Sequence, residues 1–380
     1  MGCTSSKPAQ EDLKRVSAPG TGRVGRRSSM GMHAAKPATL QGFPLQLPPT
    51  SPLTPSEYRE RLVACEGEQS CRLPQAGCLL RYAFVTQRGF YPEARQKSNQ
   101  DAVFAKHHFA DGPENCFFAV FDGHGSNGTL CAQFSKEKVA GHLQDSIAAH
   151  DQASSAMTTA MLETNEQLHQ SPIDDSMSGT TAIAALVQGR DVTVANVGDS
   201  RAIMGHSTGG PLRAECLTRD QTPFRLDECN RVKKCGARVM TLDQIEGVKD
   251  ASKQSWIDED KDGGDPPRIW SSSGLYPGTA FTRSIGDQSA EHLGVIADPE
   301  ITEHRLSPEA PLLILASDGI FEFLSNQTVV DMVLNYHGNL LDAAIHITIR
   351  AYDLWLQNET RTDDITIIIV MASDFSESGK

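Results

Sequence analysis

Aspartates recur where the apolar runs of this sequence begin or end. The set is Asp101, Asp122, Asp199, Asp318, Asp363 and Asp364. A single aspartate at a strand end is ordinarily a turn residue or a helix cap. Several such carboxylates would repel one another if packed sheets brought the strand ends together, unless cations held them. Oxygen ligands without cysteine favour hard divalent ions, Mg²⁺ or Mn²⁺, and disfavour zinc.

The segment FAVFDGHGSNG, residues 118–128, admits two interpretations. Its glycines have the GxGxxG spacing of a dinucleotide-binding turn between a strand and a helix. Its Asp122 and His124, on a sharp glycine turn, suit a metal site instead. A dinucleotide site also needs an acidic residue about 20 positions later, at the end of a following strand, where this sequence predicts a boundary between helices. Asp318 and Asp363 have a role only in the metal site, which is therefore the favoured interpretation.

The apolar pattern predicts the elements that must position these residues. Strands are predicted over residues 79–87, 102–107, 117–121, 180–188, 192–197, 201–204, 312–316 and 365–371. Helices are predicted over residues 128–149, 154–170, 225–235, 326–336 and 340–357. Strands and helices come in separate runs, which favours an α+β fold with antiparallel sheets over alternating βαβ units. Residues 236–277 show little periodicity and are predicted to be loops.

Composition divides the chain into a tail and one folded domain. Residues 1–56 are rich in Ser, Pro, Gly and basic residues, which predicts a disordered, basic tail. Residues 57–78 are predicted to be a linker, residues 79–373 the folded domain and residues 374–380 a C-terminal tail.

The net charge of the 380-residue chain is −13, and it is unevenly distributed. The first 36 residues carry seven basic side chains against two acidic ones, a net +5 that leaves −18 for the rest. An acidic body is a poor candidate for binding nucleic acid. There is no apolar run long enough to span a membrane and no secretory signal. Nine scattered cysteines predict reduced thiols in a cytosolic protein.

The first seven residues, MGCTSSK, predict lipidation. Gly2 and Ser6 match the acceptor pattern for N-myristoylation, and Cys3 offers a thiol for palmitoylation. Because one acyl chain binds membranes only marginally, the second chain or the basic stretch that follows would be needed for stable attachment. We expect the chain on the cytoplasmic side of a membrane, or in the cytosol if it is not acylated.

Two further motifs do not fit their usual functions. GHSTG, residues 205–209, has the spacing of a serine hydrolase elbow, but Gly-Pro follows it, which indicates a hairpin rather than the required helix. DEDKDG, residues 258–263, opens like a calcium-binding loop, but the twelfth position is Ile269 instead of an acidic ligand.

Seven motifs, in this order, resemble the metal-dependent protein phosphatases of type 2C. They are NQD at 99–101, FDGHG at 121–125, SGTTA at 178–182, ANVGDSR at 195–201, TRSIGD at 282–287, SDG at 317–319 and DDIT at 363–366. The resemblance covers residues 79–373. The sequences DQTPF, CGARV and DPPR, at residues 220–224, 235–239 and 265–268, favour the plant and protist branch.

The resemblance implies a sandwich of two antiparallel sheets flanked by helices, with a metal cleft at one end. Asp122 would bridge two Mg²⁺ or Mn²⁺ ions, and the carbonyl of Gly123 would be a further ligand of one. Asp318 and Asp363 would complete the shell of the other ion. The implied activity is that of a protein serine/threonine phosphatase acting on phosphoproteins by direct attack of a metal-bridging hydroxide, and we expect a monomer.

The resemblance also assigns supporting roles. Asp101 would hold metal-bound water, and Asp199 with Asp318 would form a third, weaker metal site. His124 would be the acid that protonates the leaving Ser or Thr oxygen. The chemistry suits these residue types, because paired cations activate water and an alkoxide leaves poorly without a proton donor.

Four positions depart from the common pattern of the family. Glu322 replaces a downstream Asp near the third metal. Gln100 stands where many members have a metal-linked Glu, and Gln221 replaces a His. Gln96 falls at the position of the phosphate-binding Arg, so Arg95 or Lys97 must substitute for it.

Two alternatives compete with this prediction. A pseudophosphatase or binding module with the same fold would lack one of the core metal acids, and the sequence retains all of them. A dinucleotide-dependent oxidoreductase would rest on the glycine spacing alone.

Overall fold

The computed structural model describes residues 53–254, 256, 265–336 and 338–375. Its α-helices are α1 (Pro55–Arg61), α2 (Gly128–Ala148), α3 (Ala153–His169), α4 (Leu226–Lys234), α5 (Leu242–Ile245), α6 (Asp318–Phe321), α7 (Asn326–Asn335) and α8 (Leu340–Asn358). Its 3₁₀ helices are Phe109–Asp111 and Gln288–Leu293. Each predicted helix is present.

The strands include all of those predicted, with 180–188 divided between two. They are β1 (Leu62–Leu73), β2 (Cys78–Gln87), β3 (Asp101–His107), β4 (Asn115–His124), β5 (Gly179–Thr180), β6 (Ala182–Gln188), β7 (Asp191–Val197), β8 (Arg201–His206), β9 (Arg213–Cys216), β10 (Arg238–Met240), β11 (Arg268–Trp270), β12 (Pro277–Thr279), β13 (Ile285–Gly286), β14 (Glu300–Arg305), β15 (Leu312–Ala316) and β16 (Ile365–Ser373).

Two large sheets contain most of these strands. The first has the order β1-β2-β16-β15-β8-β9, and the second has the order β13-β5-β4-β6-β7-β14, with β3 paired to β4. Every ladder between these strands is antiparallel. The predicted α+β fold with two antiparallel sheets flanked by helices is therefore confirmed.

Strand β4 shows why the sheets stack face to face with helices outside. Its run FFAVF, residues 117–121, is completely buried, because alternate side chains enter two different cores. Phe118 and Val120 pack between the sheets against side chains of β2, β15 and β16. Phe117 and Phe121 point outward and pack under α2 and α3. The outer face of the first sheet is covered in the same way by α1, α7 and α8.

The linker predicted over residues 57–78 is wrong, because α1 and β1 occupy it. Helix α1 begins at a capping box, in which the Thr54 side chain accepts from the Glu57 N–H and the Glu57 carboxylate accepts from the Thr54 N–H. Tyr58 is fully buried, and its hydroxyl lies 3.0 Å from the hydroxyl of Thr348 on α8. One buried aromatic in a short polar helix gives no periodic signal, so the sequence pattern missed it.

Strand β1 also escaped prediction. It pairs with β2 at the edge of the first sheet, with a register shift between Glu66 and Gln69. Among its described side chains only Cys71 and Leu73 are buried. An edge strand with a bulge and few buried positions does not alternate as a half-buried strand does.

The loops predicted over residues 236–277 are also partly wrong. Strands β10 and β11 lie in this region and form a small antiparallel sheet with β12. Val239, Trp256 and Ile269 belong to the small core beneath this sheet, together with side chains of α4. Strands of three residues are too short to show a period of two.

Residues 1–52 and 376–380 lie outside the described residues, and so does the acidic run 258–263. The predicted lipidation sites Gly2 and Cys3 are among them. In the described part of the chain, no helix combines the length and apolar character needed to cross a membrane.

Candidate active site

Strand ends from both large sheets surround one cleft of about 190 Å³. Asp122 lies near the end of β4, Asp199 follows β7, Asp318 follows β15 and Asp363 precedes β16. The other residues that line the cleft are Lys97, Gln100, Gly123, His124, Gly125, Thr181 and Phe281. The structure thus brings together the predicted metal ligands and the predicted catalytic histidine, from positions up to about 240 residues apart in the chain.

Asp101 lies directly behind the cleft. Residue 101 opens β3 and is paired in register with Asp122 of β4. One oxygen of its buried carboxylate, Oδ2, accepts hydrogen bonds from Ser317 Oγ at 3.0 Å and from Thr366 Oγ1 at 2.6 Å. Oδ1 is buried and has no hydrogen-bond partner. Burial, and then the charge of Asp364, raise the pKa of Asp101 to about 8.

Asp122 and Asp318 lie half-buried beside each other in the cleft. Burial raises the pKa of both carboxyls well above the usual range, and neighbouring aspartates add to the effect, first Asp101 for Asp122 and first Asp363 for Asp318. Asp318 Oδ1 is buried without a hydrogen-bond partner. Crowded carboxylates with orphaned oxygens are costly unless a positive charge compensates them. The donor set therefore fits hard divalent cations, as the sequence predicts.

Asp363 and Asp364 are consecutive but have different surroundings. Asp363 faces the cleft, where its Oδ1 accepts a hydrogen bond from the Tyr91 hydroxyl at 2.7 Å. Asp364 points away and accepts backbone N–H groups of Gly89 and Gln100 at 2.7 and 2.8 Å. It therefore fastens the loop between β2 and β3 to the start of β16. No motif in the sequence predicts a role for Tyr91.

Asp199 lies on the β7–β8 turn. The pKa of its carboxyl is raised to about 6 by burial and then by the neighbouring Asp220. Gln221, which replaces a histidine of the family pattern, holds this turn: its Oε1 accepts the Gly198 N–H at 2.6 Å, and its amide donates to the Asn196 carbonyl at 3.1 Å. The replacement is thus accommodated by backbone hydrogen bonds.

His124 is held in a fixed orientation. Its Nε2 lies 2.5 Å from Oδ2 of Asp287, a carboxylate that is only 2% exposed. Phe281 packs against the ring, with 4.4 Å between the ring centroids. Asp287 belongs to the TRSIGD motif, but the motif predicts no role for it, because nothing in a linear pattern shows that residues 124 and 287 meet.

The glycines of the GxGxxG pattern allow neighbouring backbone segments to approach closely. A Cβ on Gly123 would clash with the carbonyl oxygen of Gly128, and one on Gly125, where φ is +81°, would clash with the carbonyl oxygen of Met177. At the start of α2, the Asn127 N–H is already engaged by Ser178 Oγ at 3.0 Å. That donor is not free to bind a phosphate, which speaks against a dinucleotide site.

The two residues predicted to bind phosphate are placed differently. Lys97 lines the cleft, and its ammonium lies 3.8 Å from the ring centroid of Tyr91. Arg95 is exposed and is not among the residues that line the cleft. The Gln100 amide donates to the Gly125 carbonyl at 2.8 Å, so this side chain braces the turn that carries His124.

A second acidic cluster lies away from the cleft. Oxygens of Asp227, Glu228 and Glu300 lie close enough together to share an ion. These carboxylates, however, form ion pairs with Arg225, Arg231 and Arg283 at 2.5 to 2.8 Å. Because arginines already neutralise them, this cluster is an ion-pair network rather than a metal site.

Comparison with known proteins identifies the family. Residues 92–347 match the family model described as Protein phosphatase 2C. A relative from Arabidopsis thaliana, "Probable protein phosphatase 2C 35", is 50% identical over 307 residues, which cover 81% of this chain and 88% of the relative. The chain belongs to the protein phosphatase 2C family. A second Arabidopsis relative, "Probable protein phosphatase 2C 72", is 32% identical over 285 residues, which cover 71% of this chain and 80% of that protein.

Solved structures share the fold of this protein phosphatase 2C. The crystal structure of a serine-threonine phosphatase 2C from Toxoplasma gondii has a TM-score of 0.60 at 19% identity and covers 81% of this chain and 98% of that one. The structure of a C. elegans sex determining protein has a TM-score of 0.59 at 16% identity, with coverages of 76% and 64%. The predicted family, its plant branch and the prediction of a protein serine/threonine phosphatase are confirmed.

Proposed function

We propose that this phosphatase hydrolyses phosphoserine and phosphothreonine in protein substrates, with two Mg²⁺ or Mn²⁺ ions in the cleft and a third held more weakly. One observation carries the proposal: half-buried aspartates from separate strand ends converge there, and Asp318 Oδ1 is buried without a hydrogen-bond partner. The ligands would be Asp122, the Gly123 carbonyl, Asp318 and Asp363, with Asp199 for the third ion and Asp101 behind them.

Bound divalent ions would lower the pKa of water and neutralise charge on the phosphoryl group, which allows direct attack on phosphorus. The chain itself supplies the rest. Asp287 holds Nε2 of His124, which leaves Nδ1 as the ring nitrogen that can donate a proton to the leaving Ser or Thr oxygen. A positioned acid of this kind accelerates loss of an alkoxide by roughly 10²- to 10⁴-fold. Lys97 supplies a positive charge in the cleft for the substrate phosphate, in place of the missing arginine.

The deciding experiment measures phosphate release from a phosphothreonine peptide in Mn²⁺ or Mg²⁺. We expect activity that EDTA abolishes and added Mn²⁺ restores. Asp318→Ala should lose at least about 10²-fold in kcat, since it removes a metal ligand. Asp145→Ala, at an exposed position of α2, is the matched control and should behave as wild type. Activity that persists in EDTA, or that survives Asp318→Ala, would contradict the proposal.

We also propose that the basic tail attaches the phosphatase to the cytoplasmic face of a membrane through acylation of Gly2 and Cys3. The sequence MGCTSSK and the basic residues after it support this proposal. Metabolic labelling with a myristate analogue should mark wild type but not Gly2→Ala. Cys3→Ser should keep the myristate label and lose most of the membrane-bound fraction, since one chain alone binds marginally. Equal membrane fractions for wild type and Gly2→Ala would refute the idea.

A further inference from the structure

The aspartate that holds His124 has an unusual backbone conformation. Asp287 has φ +51°, in the left-handed region that side chains other than glycine rarely adopt. It lies between Gly286, with φ +101°, and the 3₁₀ helix Gln288–Leu293. Such a conformation costs free energy, so it persists only where the surroundings fix it.

Two neighbouring segments fix the backbone around Asp287. The first is the loop after α3. Its Ser178 carbonyl accepts a hydrogen bond from the Asp287 N–H at 2.9 Å, and its Asp175 carbonyl accepts one from the Gln288 N–H at 3.2 Å. On the other side, the Gly286 N–H donates to the side chain of Asn165, on α3, at 2.8 Å. The position of Asp287 therefore depends on how α3, this loop and the 3₁₀ helix are joined.

One side chain joins all three. His169, at the end of α3, places Nδ1 2.6 Å from Oδ2 of Asp175 in the loop and Nε2 2.9 Å from Oε1 of Glu291 in the 3₁₀ helix. Asn165 donates to the same Glu291 oxygen at 2.8 Å. An imidazole can donate to two carboxylates only when both nitrogens are protonated. The hydrogen bond to Glu291, and then that to Asp175, accordingly raise the pKa of His169 against the opposing effect of burial.

We propose that His169 is a positioning residue for the catalytic acid: it fixes the segment that holds Asp287, and through Asp287 it orients His124. The proposal rests on the proposed function, in which His124 protonates the leaving oxygen. His169 itself does not line the cleft. It therefore acts only through the loop and the 3₁₀ helix that it links by hydrogen bonds to Asp175 and Glu291.

The test uses two substrates that differ in their need for an acid. Loss of an alkoxide from a phosphothreonine peptide needs protonation, whereas p-nitrophenolate leaves p-nitrophenyl phosphate without it. For His169→Gln we expect kcat for the peptide to fall about tenfold and kcat for p-nitrophenyl phosphate to change less than about twofold. KM for both should stay within about twofold, because the metal ligands and Lys97 are untouched.

His142→Gln is the matched control. His142 also forms an ion pair from one helix to another, with its Nδ1 3.0 Å from Glu163, and it is similarly buried. In the described part of the chain it forms no hydrogen bond or ion pair with residues 286–291. We expect this variant to treat the two substrates alike. If His169→Gln fails to fold, Glu291→Gln, which alters the more exposed of the two carboxylates that contact His169, should show the same selective loss.

Three results would overturn the inference: equal losses on both substrates, no loss on either, or an equal selective loss in His142→Gln. A wild-type chain that hydrolyses neither substrate would instead contradict the proposed function. In that case the ring nitrogen signals of His124 in NMR spectra still decide the positioning role. They should shift between wild type and His169→Gln and stay unchanged in His142→Gln.

Discussion

The Asp287 carboxylate and the imidazole of His124 lie 2.5 Å apart, although 163 residues separate them in the chain. His124 lies at the end of β4, and Asp287 follows β13, so the packing of the second sheet creates the pair. Because Asp287 holds Nε2, the pair fixes the orientation of the imidazole.

Substitution of this aspartate tests the role of the pair. Asp287→Asn should lower kcat for a phosphothreonine peptide by roughly 10- to 100-fold, because the amide no longer stabilises a protonated ring. KM should change little. Steady-state kinetics with the exposed Asp298→Asn as control measure the effect. A variant with wild-type kcat would show that the hydrogen bond has no part in the reaction.

Lys97 and Arg95 give a second, paired prediction. Lys97→Gln removes the ammonium that lines the cleft and should raise KM for the phosphopeptide about tenfold, since a charge-assisted contact to phosphate is lost. Arg95→Gln removes an equal charge outside the cleft and should leave KM within about twofold. If the arginine variant has the larger effect, the phosphate is held by Arg95 instead.

Asp318 should affect stability and metal binding in opposite directions. Without metal, Asp318→Asn relieves repulsion among the crowded carboxylates of the cleft and should stabilise the fold by about 1–2 kcal/mol. With metal, the same variant should lose Mg²⁺ affinity by 10- to 100-fold or more. Thermal unfolding in EDTA and titration calorimetry with Mg²⁺ provide the two measurements. Lower stability in EDTA would mean that this carboxylate is not an unfavourable charge in the metal-free protein.

The metal-free protein should become less stable as the pH rises. The pKa of Asp101 is about 8 in the fold, against about 3.9 for an unfolded chain. Between these values the folded state binds more protons than the unfolded state, so the free energy of unfolding falls with increasing pH. The pKa values of about 6 for Asp199 and Asp364 add to the slope below pH 6.

Unfolding curves measured in EDTA between pH 5 and 8 check this dependence. Mg²⁺ should stabilise the protein more at pH 8 than at pH 5, because it replaces protons that the carboxylates otherwise keep. Asp101→Asn should flatten the slope in EDTA. A midpoint that rises with pH in EDTA would contradict the prediction.

Glu228 should contribute to stability in the opposite pH range. Burial alone would raise its pKa, but hydrogen bonds from Arg283 and Arg231 outweigh burial and lower the pKa to about 2. The stabilisation is complete above about pH 4.5 and is lost as the pH falls towards 2. Glu228→Gln should cost about 3 kcal/mol at pH 7, since each pKa unit corresponds to about 1.4 kcal/mol. Chemical denaturation measures this cost, and Asp227→Asn, at an exposed position, should cost far less.

The sequence was sufficient for the parts of the structure that rest on continuous apolar runs. Strand β4 was predicted because FFAVF is buried on both faces, and the aspartates stood out because they end such runs. The resemblance to a known family then grouped acids that lie far apart in the chain. Each of these signals lies either within a short segment or in the order of motifs along the chain, and both can be read from a sequence.

Contacts between side chains that are distant in the chain could not be predicted from the sequence. The hydrogen bond from the Tyr91 hydroxyl to Asp363, and the contact of His169 with Asp175, depend on how loops pack together in the fold. Neither contact leaves a periodic or spacing signal in the sequence. Likewise, the sequence offered Arg95 and Lys97 as equals, although they are two residues apart. Only the path of the loop, fastened by Asp364, decides which of them enters the cleft.

Helix α1 and strand β1 have a practical consequence for shortening the protein. A fragment starting at Leu79, or at Pro92 where the family match begins, would keep every metal ligand. The fragment that starts at Leu79 would expose the long edge of β2 to pairing with other chains, and the fragment that starts at Pro92 would lose β2 and expose β16 instead. Both fragments would lose the buried ring of Tyr58. Such a fragment would be prone to aggregate, so the smallest well-behaved catalytic unit must begin before Thr54.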